Sequence, residues 1–292
     1  MNSKQSLGLF IIPSFIWGST WFAITFQLGT VEPIVSVAYR SALAGIILLI
    51  YTYFTGRNMR FSPKDHFFLF LQGLFLYGLN YWFVYAAETV IASGLVAIVF
   101  SLVVILNVLF GNIFLKIPIQ RKIILGAALG LLGTFVIFFQ ELHSFNFNKE
   151  YTNALLLSLL GVILASLGNI VASYNFNSKI PIIQSNAFGM TYGAIILAII
   201  AVIAGKEFTF DFSIPYVSSL IYLAIFGSIV AFNAYLKLMS LWGPGKTAYI
   251  VLVTPIIAVI ISYFFENYHI TLYTILGAIL VLGGNYIVVR KK

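Results

Sequence analysis

Along this chain, polar positions gather in short clusters separated by long apolar runs. The runs extend approximately from Leu7 to Gly29, Ile34 to Phe54, Phe67 to Ala87, Ser93 to Leu115, Ile123 to Gln140, Ala154 to Tyr174, Ile182 to Ala204, Tyr216 to Leu241, Gly245 to Phe265 and Leu272 to Val289. A helix needs about 20 residues to cross an apolar bilayer core. Lipid cannot satisfy backbone polar groups, so a spanning segment is either a helix or a strand of a closed barrel. Barrel strands are about ten residues long and alternate in polarity; these runs do neither. The pattern predicts an all-α integral membrane protein of ten transmembrane helices. The gaps carry turn chemistry, as at Glu32-Pro33, Ser62-Pro63, Pro118, Pro181, Pro215 and Gly243-Pro244-Gly245. Pro13 and Pro255 fall inside spans, where each removes a helical hydrogen bond, and they are candidates for hinges or for static packing kinks.

The runs repeat. Ile124-Leu125-Gly126-Ala127 recurs as Ile275-Leu276-Gly277-Ala278, and Gly94 with Gly245 and Gly133 with Gly284 keep the same spacing; Trp17-Gly18-Ser19 lines up with Leu167-Gly168-Asn169. Two five-helix halves follow, residues 1–145 and 146–292. An odd number of spans per half turns the second upside down, an architecture recurrent among secondary transporters. A first span preceded by Lys4 can pass for a signal peptide, but it carries Trp17 and Trp21 and takes part in the repeat. Lys4, Arg57, Arg60, Lys64, Lys116, Arg121, Lys122, Lys179, Lys246, Arg290, Lys291 and Lys292 fall on one side of the predicted topology, against Lys149 and Lys206 on the other. The positive-inside rule then places both termini in the cytoplasm.

Composition sharpens this picture. The chain is 61% hydrophobic and 8% charged, far from the roughly 45–50% and about 25% of soluble domains. The net charge of +8 resides in scattered topology signals, so nucleic acid is not an expected partner; the lipid bilayer and a small-molecule substrate are. With no cysteine, thiolate metal sites and cysteine nucleophiles are excluded. Neither an HExxH helix, a GxSxG elbow, a P-loop nor a Rossmann glycine pattern is present. No enzymatic activity, cofactor or metal is expected. A homodimer is compatible with the sequence.

Charge inside a bilayer is costly and marks function by default. Arg40 lies about seven residues into its span, roughly 10 Å at 1.5 Å per residue. It either faces a cavity and attracts a substrate carboxylate, or pairs with Glu32 or with freed carbonyls. Lys237 sits near a span end, where it can snorkel. Uncharged candidates for substrate binding are Trp17, Ser19, Thr20 and Trp21 in the first span and Tyr77, Asn80, Tyr81 and Tyr85 in the third, where the tyrosines recur every four residues on one face. In the second half they are Asn169, Ser173, Tyr192, Asn233, Tyr235 and Tyr249. The acidic residues fall at or near span ends, which disfavours a mid-membrane carboxylate relay; Glu88 and Glu266 keep proton coupling open. Gly126 and Gly130 form a small-xxx-small pair suited to close helix packing.

Phe15-Ile16-Trp17-Gly18-Ser19-Thr20-Trp21, Pro33 with Tyr39-Arg40, Thr254-Pro255, Phe265-Glu266 and Ile275-Leu276-Gly277-Ala278 resemble the EamA family of the drug/metabolite transporter superfamily. The first half departs from the pattern at Val103-Val104, where a proline is expected, and at Leu115-Lys116, where a glutamate is. The resemblance implies a ten-helix inverted repeat around a central cavity and export of metabolites such as amino acids, or of toxic compounds, across a bacterial inner membrane. The expected function is a secondary transporter of small amphipathic metabolites working by alternating access, as an exporter. The alternatives are a multidrug exporter of the same fold and, in a different class, a channel or lipid-handling protein.

Overall fold

The computed structural model describes residues 3–91, 93–139, 149–265 and 269–289. Glu266, Gln140, Glu141, His143 and the basic cluster Arg290 to Lys292 lie outside the described residues. The described chain is helical and its helices follow the apolar runs: α1 Ser3–Thr25, α2 Pro33–Phe54, α3 Pro63–Glu88, α4 in two pieces Ser93–Ser101 and Val103–Leu115, α5 Arg121–Ile137, α6 Lys149–Asn177, α7 Ile182–Ile203, α8 Ile214–Trp242, α9 Pro244–Phe265 and α10 Leu272–Val289. Among the described residues, eight of these, α1 to α4 and α6 to α9, are long and apolar enough to cross a membrane. The other two are the shortest: α5 has 17 residues and α10 has 18.

Local chemistry sets the helix ends. Ser62 and Asp65 form a reciprocal capping box at the start of α3, with Pro63 at the first helical position, so two otherwise orphaned N–H groups are satisfied. Ser213 caps α8 by one bond alone, its hydroxyl accepting from the Tyr216 N–H. Helices α2 and α7 both end on a glycine with positive φ, Gly56 at 63° and Gly205 at 66°, the left-handed stop that frees the chain to turn. Lys116 ends α4 in the same left-handed region, at φ 56°.

Packing is densest along two seams, α5 against α10 and α2 against α7. In the first seam glycines face glycines: a methyl group on Gly277 would lie 2.5 Å from the Gly133 carbonyl oxygen, and one on Gly284 would lie 2.5 Å from the Gly126 carbonyl oxygen. Gly130 instead receives the Leu252 side chain of α9. In the second seam Gly45 abuts Thr191. Small residues let backbones approach closely, and dispersion across such a contact replaces the hydrophobic drive that lipid does not supply. The remaining packing is reciprocal: α1 lies against α8 and α9, while α6 lies against α3 and α4.

One feature was invisible in the periodicity. Helices α3 and α8 each widen into π-helical turns, at Gly73–Leu79 and Leu223–Val230. The wider i→i+5 pattern changes the azimuth of whatever follows. Helices α1 and α9 run on through Pro13 and Pro255. Gly18 meets α9 beside Pro255, because a methyl group there would lie 3.2 Å from the Thr254 carbonyl oxygen. At the mouth of the bundle Glu32, before α2, forms an ion pair of 2.8 Å with Lys206, after α7.

Gly277→Ala is predicted to lower the melting temperature of the purified protein in detergent, because the new methyl has to push a backbone carbonyl, an overpacking cost of about 1–3 kcal/mol. Gly283→Ala on the same helix, where nothing lies within 4 Å, is the control. Equal melting temperatures for the two variants would refute a glycine-sealed seam.

Candidate functional site

Helices from both halves leave a central cavity with about 660 Å³ of space not filled by atoms, its mouth included, bounded by α1, α3, α4, α6, α8 and α9. Its walls are aromatic: Trp17, Trp21, Tyr81, Phe100, Phe232 and Tyr235. Trp17 packs on Phe232 and Tyr235 with ring centroids 5.0 and 4.9 Å apart, and its indole N–H donates to the Gly227 carbonyl at 3.1 Å. Trp17 is therefore held in orientation by the widened part of α8.

The polar groups on these walls are few and incompletely satisfied. Asn80 donates its amide to the Leu76 carbonyl at 3.0 Å, and Asn169 donates to the Asn107 side-chain oxygen at 3.4 Å. The side-chain oxygens of both, Asn80 Oδ1 and Asn169 Oδ1, are buried without a hydrogen-bond partner. Such groups each cost about 1–3 kcal/mol unless something donates to them. They face the same cavity from α3 and α6. Thr20 and Thr254 also line it, but both hydroxyls are spent on carbonyls of their own helices.

Arg40 lies behind the wall. It is 2% exposed, its Nε donates to the Ser228 hydroxyl at 3.0 Å, one terminal nitrogen donates to the Tyr85 hydroxyl at 3.2 Å, and the guanidinium stands 4.3 Å from the centre of the Tyr81 ring. The second terminal nitrogen, Nη2, is buried with no partner. Its position is marked by Gly227: a methyl group there would lie 3.2 Å from Arg40 Nη2 and 3.0 Å from Thr20. Gly227, the α8 residue without a side chain, thus leaves room beside both the free donor of Arg40 and Thr20 of the cavity wall. Arg40 does not pair with Glu32, whose partner is Lys206.

Of the residues singled out in the sequence, Trp17, Thr20, Trp21, Asn80, Tyr81, Asn169 and Tyr235 meet around this cavity, with Arg40 and Tyr85 immediately behind it. Others go elsewhere. Tyr77 turns away from the cavity and donates to Asn186 of α7 at 2.6 Å while accepting from Gln72. The three tyrosines of α3 therefore do not form one continuous stripe, because the π-helical turn through Leu79 breaks the four-residue register. Ser19 bonds the Tyr222 hydroxyl, Tyr192 pairs with His66 at 2.8 Å, Asn233 donates back to Ile229, and the Tyr249 hydroxyl donates to the Ile123 carbonyl of α5. Ser173 borders a small separate pocket near Ile182. Lys237 is exposed. Sequence reasoning missed Phe232, Phe100, Val103 and Val251 on the wall, and the second layer formed by Asn107 and Ser166, which bond at 2.7 Å. Asn107 had a usable signal, as one of two asparagines, with Asn112, in a largely apolar half-helix; the apolar wall residues had none.

With the geometry established, likeness to known proteins decides the family. The model of the EamA-like transporter family matches twice, at residues 5–139 and again at residues 152–290. The chain belongs to the EamA-like transporter family. Among relatives, it is 28% identical over 270 residues to the inner membrane transporter YedA of Escherichia coli strain K12, covering 90% of this chain and 84% of YedA. It is 22% identical over 276 residues to the protein PagO of Salmonella typhimurium, covering 94% and 90%. It is also 23% identical over 282 residues to a transporter of Archaeoglobus fulgidus, covering 94% and 95%. A solved crystal structure shares the fold, with a TM-score of 0.80 at 16% identity, over 99% of this chain and 97% of that one. This EamA-like chain is thus a multi-pass membrane transporter, and the cavity is the natural place to seek its substrate.

Because the chain has no cysteine, single-cysteine variants report access without background. Thr20→Cys and Asn169→Cys, which line the cavity, are predicted to react with a small water-soluble thiol reagent, whereas Ser41→Cys, equally buried but away from the cavity and bonded to the Tyr77 carbonyl, stays unmodified. Modification of the Ser41 variant as fast as the other two would show that the cavity is not the solvent route.

Proposed function

We propose that this chain is a secondary transporter that exports small amphipathic metabolites such as amino acids by alternating access. The observation that carries the reading is a set of unmatched groups at one aromatic cavity: the Nη2 donor of Arg40 behind the wall near Thr20, and the side-chain oxygens of Asn80 and Asn169, two residues that line it. A carboxylate answers the first and an ammonium or amide N–H answers the others, so a zwitterion satisfies all three at once. A charge-assisted bond contributes about 1.5–3 kcal/mol net, and Trp17, Phe232 and Tyr235 offer apolar area for a side chain.

In this reading the two halves, residues 1–145 and 146–292, are inverted five-helix repeats making ten spans, with α5 and α10 crossing despite their shortness and both termini cytoplasmic. Two sequential matches to one family model and the reciprocal packing of α1 and α6 support it. The halves rock about the cavity, with Pro13 and Pro255 as hinges; Thr254, next to Pro255, lines the cavity. The relative YedA is named as an inner membrane transporter, which supports the same location here. A multidrug exporter is the alternative, and Arg40 weighs against it for cationic compounds.

The test is counterflow in proteoliposomes loaded with unlabelled amino acids and supplied with labelled ones. The wild type is expected to accumulate label saturably, and Arg40→Ala to lose it by about tenfold or more, the scale of one charge-assisted hydrogen bond, with unchanged elution in size-exclusion chromatography. Wild-type rates in the Arg40→Ala protein would remove the carboxylate assignment.

A further inference from the structure

Asn107 lies in the second piece of α4, fully buried, and does not itself line the cavity. Both ends of its amide are used. The side-chain oxygen accepts from the Ser166 hydroxyl at 2.7 Å and from the Asn169 amide at 3.4 Å, and the nitrogen donates to the Pro244 carbonyl at 3.3 Å. The Tyr235 hydroxyl of α8 is within reach of both asparagines. One side chain therefore joins α4 to α6 and to the first residue of α9. Replacing it with an apolar group would leave those buried partners unmatched.

Two of these partners define its role. Asn169 lines the cavity; its nitrogen is spent on Asn107, and its oxygen, on the same planar amide, has no partner. An asparagine amide turns about its last side-chain bond, so either end can be presented unless a neighbour fixes one. Asn107 fixes the nitrogen, and the oxygen is the end left for a solute donor. Pro244 follows Gly243, whose φ is 78°, and the start of α9 sits tightly on α4. A methyl group on Gly245 would lie 2.9 Å from the Val108 side chain, and one on Gly111 would lie 3.6 Å from the Pro244 ring. Further along, α9 supplies Val251 and Thr254 to the cavity wall. In the register that aligns Ile124 with Ile275, Asn107 corresponds to Ala258, so the other half offers no equivalent amide.

We propose that Asn107 is a positioning residue of the solute site: it presents the Asn169 oxygen to a solute donor and makes that presentation depend on the seating of α9 against α4. With Pro244 seated, the Asn107 amide is held at both ends and the Asn169 amide is fixed. When the start of α9 leaves α4, Asn107 loses the carbonyl that orients it, and the Asn169 amide is free to turn. Solute affinity and closure at the α8–α9 end are then linked, and the linkage is reciprocal: a solute that uses the Asn169 oxygen favours the seated arrangement. In the proposed topology that end is cytoplasmic, so a solute arriving for export favours closure behind itself. The inference rests on the reading of Asn169 as a solute contact.

The test is a double-mutant cycle on the full chain in proteoliposomes, with labelled amino acids, taken one at a time, as probe and the half-saturating concentration for counterflow as readout. Asn169→Leu and Asn107→Leu are each expected to raise that concentration about tenfold, the scale of one hydrogen bond. The double variant is expected to show about the same tenfold rise, because the second change removes an interaction already lost. A rise of about a hundredfold in the double variant, the product of two independent effects, overturns the proposal. So does an unchanged half-saturating concentration in either single variant; in both cases a wild type that performs counterflow remains a transporter. Asn107→Ala carries the same expectations if the leucine protein does not elute as a folded species. If the wild type accumulates none of the amino acids, reagent access decides instead. Val108→Cys, packed under Gly245 in a chain without other cysteines, is expected to react slowly with a water-soluble maleimide and several-fold faster once Asn107→Leu is added. Equal rates overturn the tie between Asn107 and α9.

Discussion

Lipid offers no hydrogen bonds, and nearly every polar choice in this structure answers that constraint. The backbone is satisfied by helices. Most hydroxyls and amides within the helices then bond back to carbonyls three or four residues earlier: Ser14 to Phe10, Thr20 to Trp17, Ser101 to Ala97, Thr134 to Gly130, Ser158 to Ala154 and Asn285 to Val281. Such side chains cost little in lipid and say little about function. Others tie helices together, as in the group of Gln72, Tyr77, Asn175, Ser185 and Asn186, where α3, α6 and α7 meet. Against that background the groups left unmatched stand out. Ten described residues carry them: Arg40, Asn80 and Asn169 lie at or next to the central cavity, Glu88 borders a recess formed with the Leu28–Pro33 turn, and Gln27, Asn175, Gln184, Asn186, Asn233 and Asn285 lie elsewhere in the helix packing.

This sorting also explains what was legible in the sequence. Helix positions followed from apolar run length because burial and backbone satisfaction act over whole segments. Arg40 was legible because a lone charge in an apolar run has few places to go; its partners were not, since Ser228 lies far away in sequence and Glu32 looked equally suitable. Trp17, Thr20, Asn80, Tyr81 and Asn169 were found by residue type. The same criterion selected Ser19, Tyr77, Tyr192 and Tyr249, which serve contacts between helices. A tyrosine that binds a solute and one that binds a neighbouring carbonyl are alike until the helices are placed. Phe232 and Val251 posed the opposite problem, because an apolar cavity wall and a lipid-facing surface are built from the same side chains. Glu88 falls at the end of its span, where the sequence put it, but position along a helix does not show that its carboxylate oxygens are buried.

The π-helical turns of α3 and α8 add a mechanical property to the chemistry. Such a turn holds one residue more than the helix on either side of it, and shifting it by one position would re-aim the residues it passes while the helix ends stay anchored. In α8, Gly227 and Ser228 lie inside the widened stretch, and they hold the Trp17 indole and the Arg40 guanidinium respectively. The one widened stretch of α8 is thus the shared anchor of an aromatic wall and a buried cation, and any change in its winding would reach both together.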